Sequence, residues 1–276
     1  MKIEAILTPA ELPALAKRDL RETLCVVFDV LRATSTFVTA LHNGAKAIIP
    51  VSEISEALAF KYSEFGIRNS EFILLGGERD GVKIRAAQTG GTDFDLGNSP
   101  RECTPEKVRG KTIVSTTTNG TQALRACAGA KTVLAGSFLN LSATAEFVKE
   151  LQPAEVLLVC AGTREDRADE DVLAAGALCE ILDAPLSPSL SPVGRGEGVR
   201  RTGEGILQMT DSAEIARQFY AQAKSDLAAA VRNATNARRL LAIPELRDDV
   251  AFCLQRDVFP LIARMEADGA IRRQPV

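Results

Sequence analysis

One pattern occurs twice in the chain and constrains its fold more than any other feature. Val26-Val27-Phe28 leads into Asp29-Val30-Leu31-Arg32-Ala33-Thr34-Ser35-Thr36, then an apolar helical stretch, then Asn43-Gly44-Ala45-Lys46 ahead of Ala47-Ile48-Ile49. Lys111-Thr112-Ile113-Val114-Ser115 leads into the run from Thr116 to Thr121, then Gln122 to Cys127, then Gly129-Ala130-Lys131 ahead of Thr132-Val133-Leu134. A constant offset of 85 residues lays Gly44 on Gly129, Phe28 on Ile113 and Thr36 on Thr121, and pairs Asp29 with Val114. Both stretches, about residues 24–60 and 111–150, read as strand, hydroxyl-rich loop, helix, tight turn and strand, which is a duplicated βαβ unit. Right-handed βαβ crossovers build a largely parallel sheet with helices on both faces, so the fold expected is α/β, a three-layer α/β/α structure. Ligands of such a sheet gather at the strand carboxyl ends, and both loops are expected to face one site there.

The chemistry-bearing residues cluster at those ends. Thr117, Thr118, Asn119, Gly120 and Thr121 sit between a strand and a helix, where glycine permits close approach and free N–H groups favour an anion. Capping of the helix alone would use one or two of them. Thr34, Ser35 and Thr36 occupy the matching place in the earlier unit. Asp29 stands at the exit of the apolar run 24–28 with Arg32 three residues on, and Gly76-Gly77-Glu78-Arg79 closes another apolar strand, so a carboxylate and a guanidinium recur together. Asn98 lies in the aperiodic stretch 80–105, within Asp95-Leu96-Gly97-Asn98-Ser99-Pro100. Asp171 opens a helix over 171–182, and Asp249, Cys253 and Asp257 recur every fourth residue as if on one helix face. Arg32 is the first choice for a bidentate phosphate contact.

The 276 residues read as a single domain, 1–276, with the Pro/Gly/Ser-rich stretch 184–205 as a flexible insertion outside the core. One long helix is expected from Asp211 to Leu241. A net charge of −3 argues against a nucleic-acid partner, and no run is long enough for a membrane span. Six scattered cysteines without a CxxC, and His42 as the only histidine, exclude the usual zinc frameworks, and the place of several thiols inside apolar runs argues against a disulfide scaffold. With no apolar signal-peptide core after Met1, a cytoplasmic protein is expected.

Together, Asp29 to Thr36, Gly77-Glu78-Arg79, Asp95 to Pro100, Thr116 to Thr121, Gly136-Ser137-Phe138-Leu139-Asn140 and the Asp249, Cys253, Asp257 tail resemble the 2-phosphosulfolactate phosphatase family of coenzyme M biosynthesis. The resemblance implies a Mg²⁺-dependent hydrolase that converts 2-phosphosulfolactate to sulfolactate and phosphate. Phosphate-monoester hydrolysis is slow enough in water to call for a metal, and Mg²⁺ uses one or two carboxylates, waters and the substrate phosphate. Asp29, Glu78, Asp171 and Asp249 are the candidate metal ligands, and Asp29, Arg32 and Glu78 the candidate catalytic set. Substrate contacts are expected from Thr34, Ser35, Thr36, Arg79, Asn98 and the run from Thr117 to Thr121. Attack by an aspartate and attack by a metal-bound water stay open, as does a homo-oligomer. Two other readings are a phosphatase of another small phosphorylated hydroxyacid and a phosphate-ligand-binding protein without catalysis.

Overall fold

The computed structural model describes residues 1–63, 68, 70–184 and 207–274; beyond Ala184, the insertion read at 184–205 lies outside them. β1 (Lys2–Ile6), α1 (Leu12–Leu15), β2 (Thr23–Phe28), α2 (Ala33–His42), β3 (Ala47–Pro50) and α3 (Ile54–Tyr62) come first. β4 (Ile73–Arg79) turns back as β5 (Val82–Lys83), followed by α4 (Ala86–Thr89) and α5 (Pro105–Val108). Next are β6 (Thr112–Thr116), α6 (Gly120–Ala126), β7 (Thr132–Gly136), α7 (Leu141–Leu151), β8 (Glu155–Cys160) and α8 (Asp169–Asp183). β9 (Gln208–Met209), α9 (Asp211–Ala223), α10 (Leu227–Val231), α11 (Thr235–Leu241) and α12 (Arg247–Cys253) lead to a hairpin of β10 (Ile262–Met265) and β11 (Ile271–Gln274).

The fold is α/β, a large mostly parallel sheet between helical layers. Every residue of β2 is buried, the continuous apolar run of a central parallel strand. Its alternation divides the core. Leu24, Val26 and Phe28 point to the layer of α7 and α8, meeting Leu141 and Leu173, while Cys25 and Val27 face Phe37, Leu41 and Leu124 of α2 and α6. A third cluster, Ile73, Leu75, Phe94 and Val114, lies beneath α3. Burying each such large side chain contributes about 1.5–3 kcal/mol. All six cysteines are buried and free.

The strand order is β5-β4-β6-β3-β11-β10-β7-β2-β8-β1-β9 among the described residues. It departs from the sequence reading in one respect. The two strands of a unit are not neighbours: β2 pairs with β7 and β3 with β6, both in parallel, so each unit's first strand joins the other unit's last. Between these pairs lies the β10–β11 hairpin, antiparallel to β7, to β3 and within itself. Three reversals leave the parallel blocks on its two sides opposite in sense, so β2 and β3 do not form a parallel βαβ unit. The twist of a sheet, roughly 20–25° a step, accumulates over the pairings from β2 to β6. The exits of these strands meet, for a Cβ on Gly120 would lie 2.6 Å from Asp29 Oδ2.

The offset of 85 also fails through the loops. Asp29 follows the end of β2, whereas Val114 lies in the middle of β6, whose exit residue is Thr117. The long helix expected over 211–241 is three helices, because Asp226 caps a new start by accepting Ala229 N–H at 2.9 Å and Ala234 is extended before α11. α12 ends at Cys253, so Asp257 is not on the helix face of Asp249; it has a φ of 56° and binds Ser142 instead. His42, in the last turn of α2, stacks on Phe259 with centroids 4.2 Å apart.

Candidate active site

Three strand exits and α11 enclose a small pocket. Asp29, Leu31 and Arg32 come from β2, Glu78 and Gly81 from β4 and its turn, Thr118 and Asn119 from β6, and Asn236, Arg239 and Leu240 from α11, with Asn98 completing the wall.

Asp29 is the carboxylate with the freest oxygen. Its Oδ1 accepts the Ala33 N–H at 3.1 Å, which fixes the side chain against the start of α2. Oδ2 receives no donor and lies against Gly120, whose missing side chain leaves it uncovered. Burial lifts the carboxyl to about 7, with the nearby Glu78 and Glu170 charges adding to the rise and the Ala33 N–H and Arg32 opposing it. Alanine at position 120 would place Cβ 2.6 Å from that oxygen and 2.7 Å from Ala33 Cβ, so something must shift. Gly120→Ala is expected to cost ~1–3 kcal/mol in urea unfolding and at least ~10-fold in turnover.

Glu78 is held by three donors: Gly81 N–H on Oε2 at 2.7 Å, and Thr118 N–H and Oγ1–H on Oε1, both at 2.9 Å. The Thr-rich loop does bind an anion, and that anion is the protein's own carboxylate. Gly81 in turn accepts Arg32 Nη2–H on its carbonyl at 2.6 Å, and its φ of 83° suits glycine. Arg32 Nη1 donates to Asp249 Oδ2 at 2.7 Å, in a pair only 3% and 0% exposed. Two of the five guanidinium N–H donors are thereby spent on Asp249 and Gly81, and Arg32 lines the pocket.

The sequence profile of the 2-phosphosulpholactate phosphatase family matches residues 7–268. The chain belongs to that family. As a member of it, the chain is a phosphoric monoester hydrolase. A probable 2-phosphosulfolactate phosphatase of Caldanaerobacter subterraneus subsp. tengcongensis is 36% identical over 255 residues, 92% of each chain. Those of Thermotoga petrophila and Clostridium acetobutylicum are 38% and 32% identical, the first covering 86% of each chain and the second 95% of this chain and 96% of the relative.

Several residues expected in the site of this phosphatase are engaged elsewhere. Thr34 Oγ1 bonds the backbone of Asp29, accepting its N–H at 3.1 Å and donating to its carbonyl at 3.0 Å. Ser35 Oγ donates to Val30 O and Thr36 Oγ1 to Asn98 O, so these hydroxyls brace the β2 exit from within α2 and do not line the pocket. Thr117 Oγ1 accepts Thr121 N–H at 3.3 Å, while Thr121 Oγ1 donates to Thr117 O at 3.0 Å. Asn119 Oδ1 accepts Arg164 N–H at 3.2 Å. Arg79 turns away, donating to Glu78 O at 2.7 Å and to Thr116 Oγ1 at 3.1 Å, which ties β4 to β6. Asp249 serves Arg32 and accepts Ser99 Oγ–H at 2.7 Å. Asp171 lies behind the pocket wall, its two oxygens accepting Val30 N–H at 2.8 Å and Gly162 N–H at 3.0 Å, and burial, with Asp29 and Glu170 beside it, raises its carboxyl strongly. Neither Asp171 nor Asp249 lines the pocket, because each is consumed by protein donors.

Sequence reading missed Gly81, Asn236 and Arg239. Asn236 Nδ2 donates to Glu170 Oε1 at 2.8 Å and to Thr163 Oγ1 at 2.7 Å. Among the described residues two fully buried side-chain oxygens have no partner, Asn98 Oδ1 on a residue of the pocket wall and Glu170 Oε2. With Asp29 Oδ2, Asn98 Oδ1 and one remaining lone-pair direction on Glu78 Oε2, the pocket offers oxygen ligands alone, a donor set that fits Mg²⁺. Among the described residues no three or more His, Cys, Asp or Glu side chains form a metal cage, and Mg²⁺ held partly by waters and phosphate does not need one. No helix among them is long and apolar enough to cross a membrane.

Proposed function

We propose that this chain hydrolyses 2-phosphosulfolactate to sulfolactate and inorganic phosphate with Mg²⁺ as cofactor. The observation that carries the reading is Asp29 Oδ2, the oxygen of a largely buried carboxylate that takes no protein donor, in a pocket it shares with Glu78 and the Arg32 guanidinium. Six of the residues expected from sequence, Asp29, Arg32, Glu78, Asn98, Thr118 and Asn119, line that pocket together. The family's relatives carry the name of this activity.

In this reading Asp29, Glu78 and Asn98 hold the metal, which when bound would neutralise charge on the phosphoryl oxygens. Arg32 offers its remaining N–H donors to the phosphate, and its orientation is fixed by Asp249 and Gly81 before substrate arrives, so little ordering is left for the moment of reaction. Glu78, locked by Thr118 and Gly81, keeps the β4 and β6 exits at a set distance. Leu31 and Leu240 supply the apolar part of the wall, which limits water around the ester.

Phosphate release from 2-phosphosulfolactate, 2-phospholactate and other phosphorylated hydroxyacids, with and without Mg²⁺, tests the reading. Metal-dependent release greatest on 2-phosphosulfolactate is expected; its absence on every ester would overturn the proposal. A separate expectation needs no substrate. Saturating Mg²⁺ should raise the thermal midpoint of the wild type by several degrees, since a ligand present at 100 times its Kd stabilises by about 2.7 kcal/mol. The midpoint of Asp29→Ala should stay unmoved.

A further inference from the structure

We infer that Arg239 is the residue that reads the sulfonate of the substrate and so sets the specificity of the pocket. The inference rests on the phosphatase reading above and goes further by assigning the second anionic group. Arg239 lies half-buried in the pocket wall on α11, and its guanidinium makes no hydrogen bond or ion pair with any described residue. Arg32, the other cation of the wall, already pairs with Asp249, and Arg79 is spent on backbone carbonyls and Thr116. An unpaired guanidinium sharing a pocket with two carboxylates it does not touch is a group held for an external anion.

Its position is prepared. The Cδ and Cγ of Arg239 stand 3.4 and 4.0 Å from where a Cβ on Gly81 would lie, so the stem rests on the bare backbone of that turn. Gly81 is itself fixed by Glu78 on its N–H and by Arg32 on its carbonyl. The same two-residue turn, Asp80-Gly81, therefore sets Glu78, Arg32 and Arg239 relative to one another.

Substrate chemistry divides the two cations. The carboxylate of 2-phosphosulfolactate shares a carbon with the phosphate ester and must stay near the reacting end, beside the buried Arg32. The sulfonate sits one carbon further out, toward the half-exposed rim where Arg239 stands. A sulfonate is weakly basic and weakly hydrated, and a guanidinium is the less hydrated of the two cationic side chains, so desolvating this pair costs less than it would with lysine.

The test compares kcat/KM of wild type, Arg239→Leu and Arg239→Lys on three esters. These are 2-phosphosulfolactate, 2-phospholactate, which lacks the sulfonate, and the phosphate ester of 2-hydroxyethanesulfonate, which lacks the carboxylate. Arg239→Leu is expected to lower kcat/KM on both sulfonated esters by ~30- to 100-fold, mostly through KM, as befits loss of a charge-assisted contact. Its effect on 2-phospholactate should be ~10-fold smaller, so selectivity collapses, and Arg239→Lys should recover part of it. Equal losses on all three esters, or losses that follow the carboxylate, would overturn the assignment while leaving the phosphatase reading intact. Failure of the wild type to release phosphate from any of the three would overturn both.

Discussion

Replacing Asp29 by asparagine is expected to cut turnover at least ~100-fold, a barrier increase of about 2.7 kcal/mol, while the fold stays intact. The amide oxygen can still accept the Ala33 N–H that Oδ1 accepts now, so the local hydrogen bond survives. What disappears is the charge and nucleophilicity at the position of Oδ2, which both metal binding and attack on phosphorus require. Stability should move the other way. The carboxyl stands at about 7 in the folded protein against an ordinary value of 3.8, so the stability it contributes is complete below about pH 4 and is lost as pH rises through 7. Asparagine has no charge to bury. Without Mg²⁺, the variant's advantage in urea unfolding should be absent near pH 4, grow between pH 4 and 7, and level off above. An advantage that does not change with pH, or a variant retaining most of its turnover at saturating Mg²⁺, would remove Asp29 from the centre of the site and leave Glu78 in its place.

The second large effect is expected at Asp249. Its carboxylate is fully buried and bonds Arg32 Nη1 and Ser99 Oγ, both at 2.7 Å. Asp249→Ala leaves the Arg32 guanidinium buried without its counter-charge, and breaking a buried pair from one side typically costs ~3–5 kcal/mol. Arg101, which approaches Asp249 at 3.8 Å but is 41% exposed, can turn to water and adds little. Urea unfolding should therefore show a loss of that order together with a fall in turnover. A magnesium ligand at this position would behave differently: the fold would persist, and activity would return as the metal concentration was raised.

What the sequence makes legible follows from how far each signal reaches. Strand exits are visible because an apolar run that ends in a charge is a local pattern, and Asp29, Arg32 and Glu78 were found that way. Asn98 was found through the turn chemistry around it. The direction in which a hydroxyl points is not local. Thr34, Thr117 and Thr121 read equally well as ligand contacts or as staples, and only the path of the neighbouring backbone shows that they are staples. The residues on α11 were hidden by an error of period. Ile215, Phe219, Leu227 and Val231 suggested one long stripe, but the cap at Asp226 and the extended Ala234 break it and turn Asn236 and Arg239 toward the pocket. Strands β10 and β11 gave no signal because each is four residues long and carries arginines. Their place in the sheet is fixed by partners more than 120 residues earlier, β7 for one and β3 for the other.

The position of that hairpin has a consequence for the order in which the molecule is made. β10 and β11 stand in the middle of the sheet, yet they leave the ribosome after every strand that flanks them. While residues 1–260 emerge, β3 and β7 each present an open inner edge, and unpaired edges of this kind recruit other chains. Closure of the sheet, and with it the final setting of the β4 and β6 exits against that of β2, must wait for a segment that supplies no residue to the pocket wall. A nascent chain halted before Ile262 would thus hold every residue of the candidate pocket without the closed sheet that sets them, and would lean on chaperones until two short strands arrive.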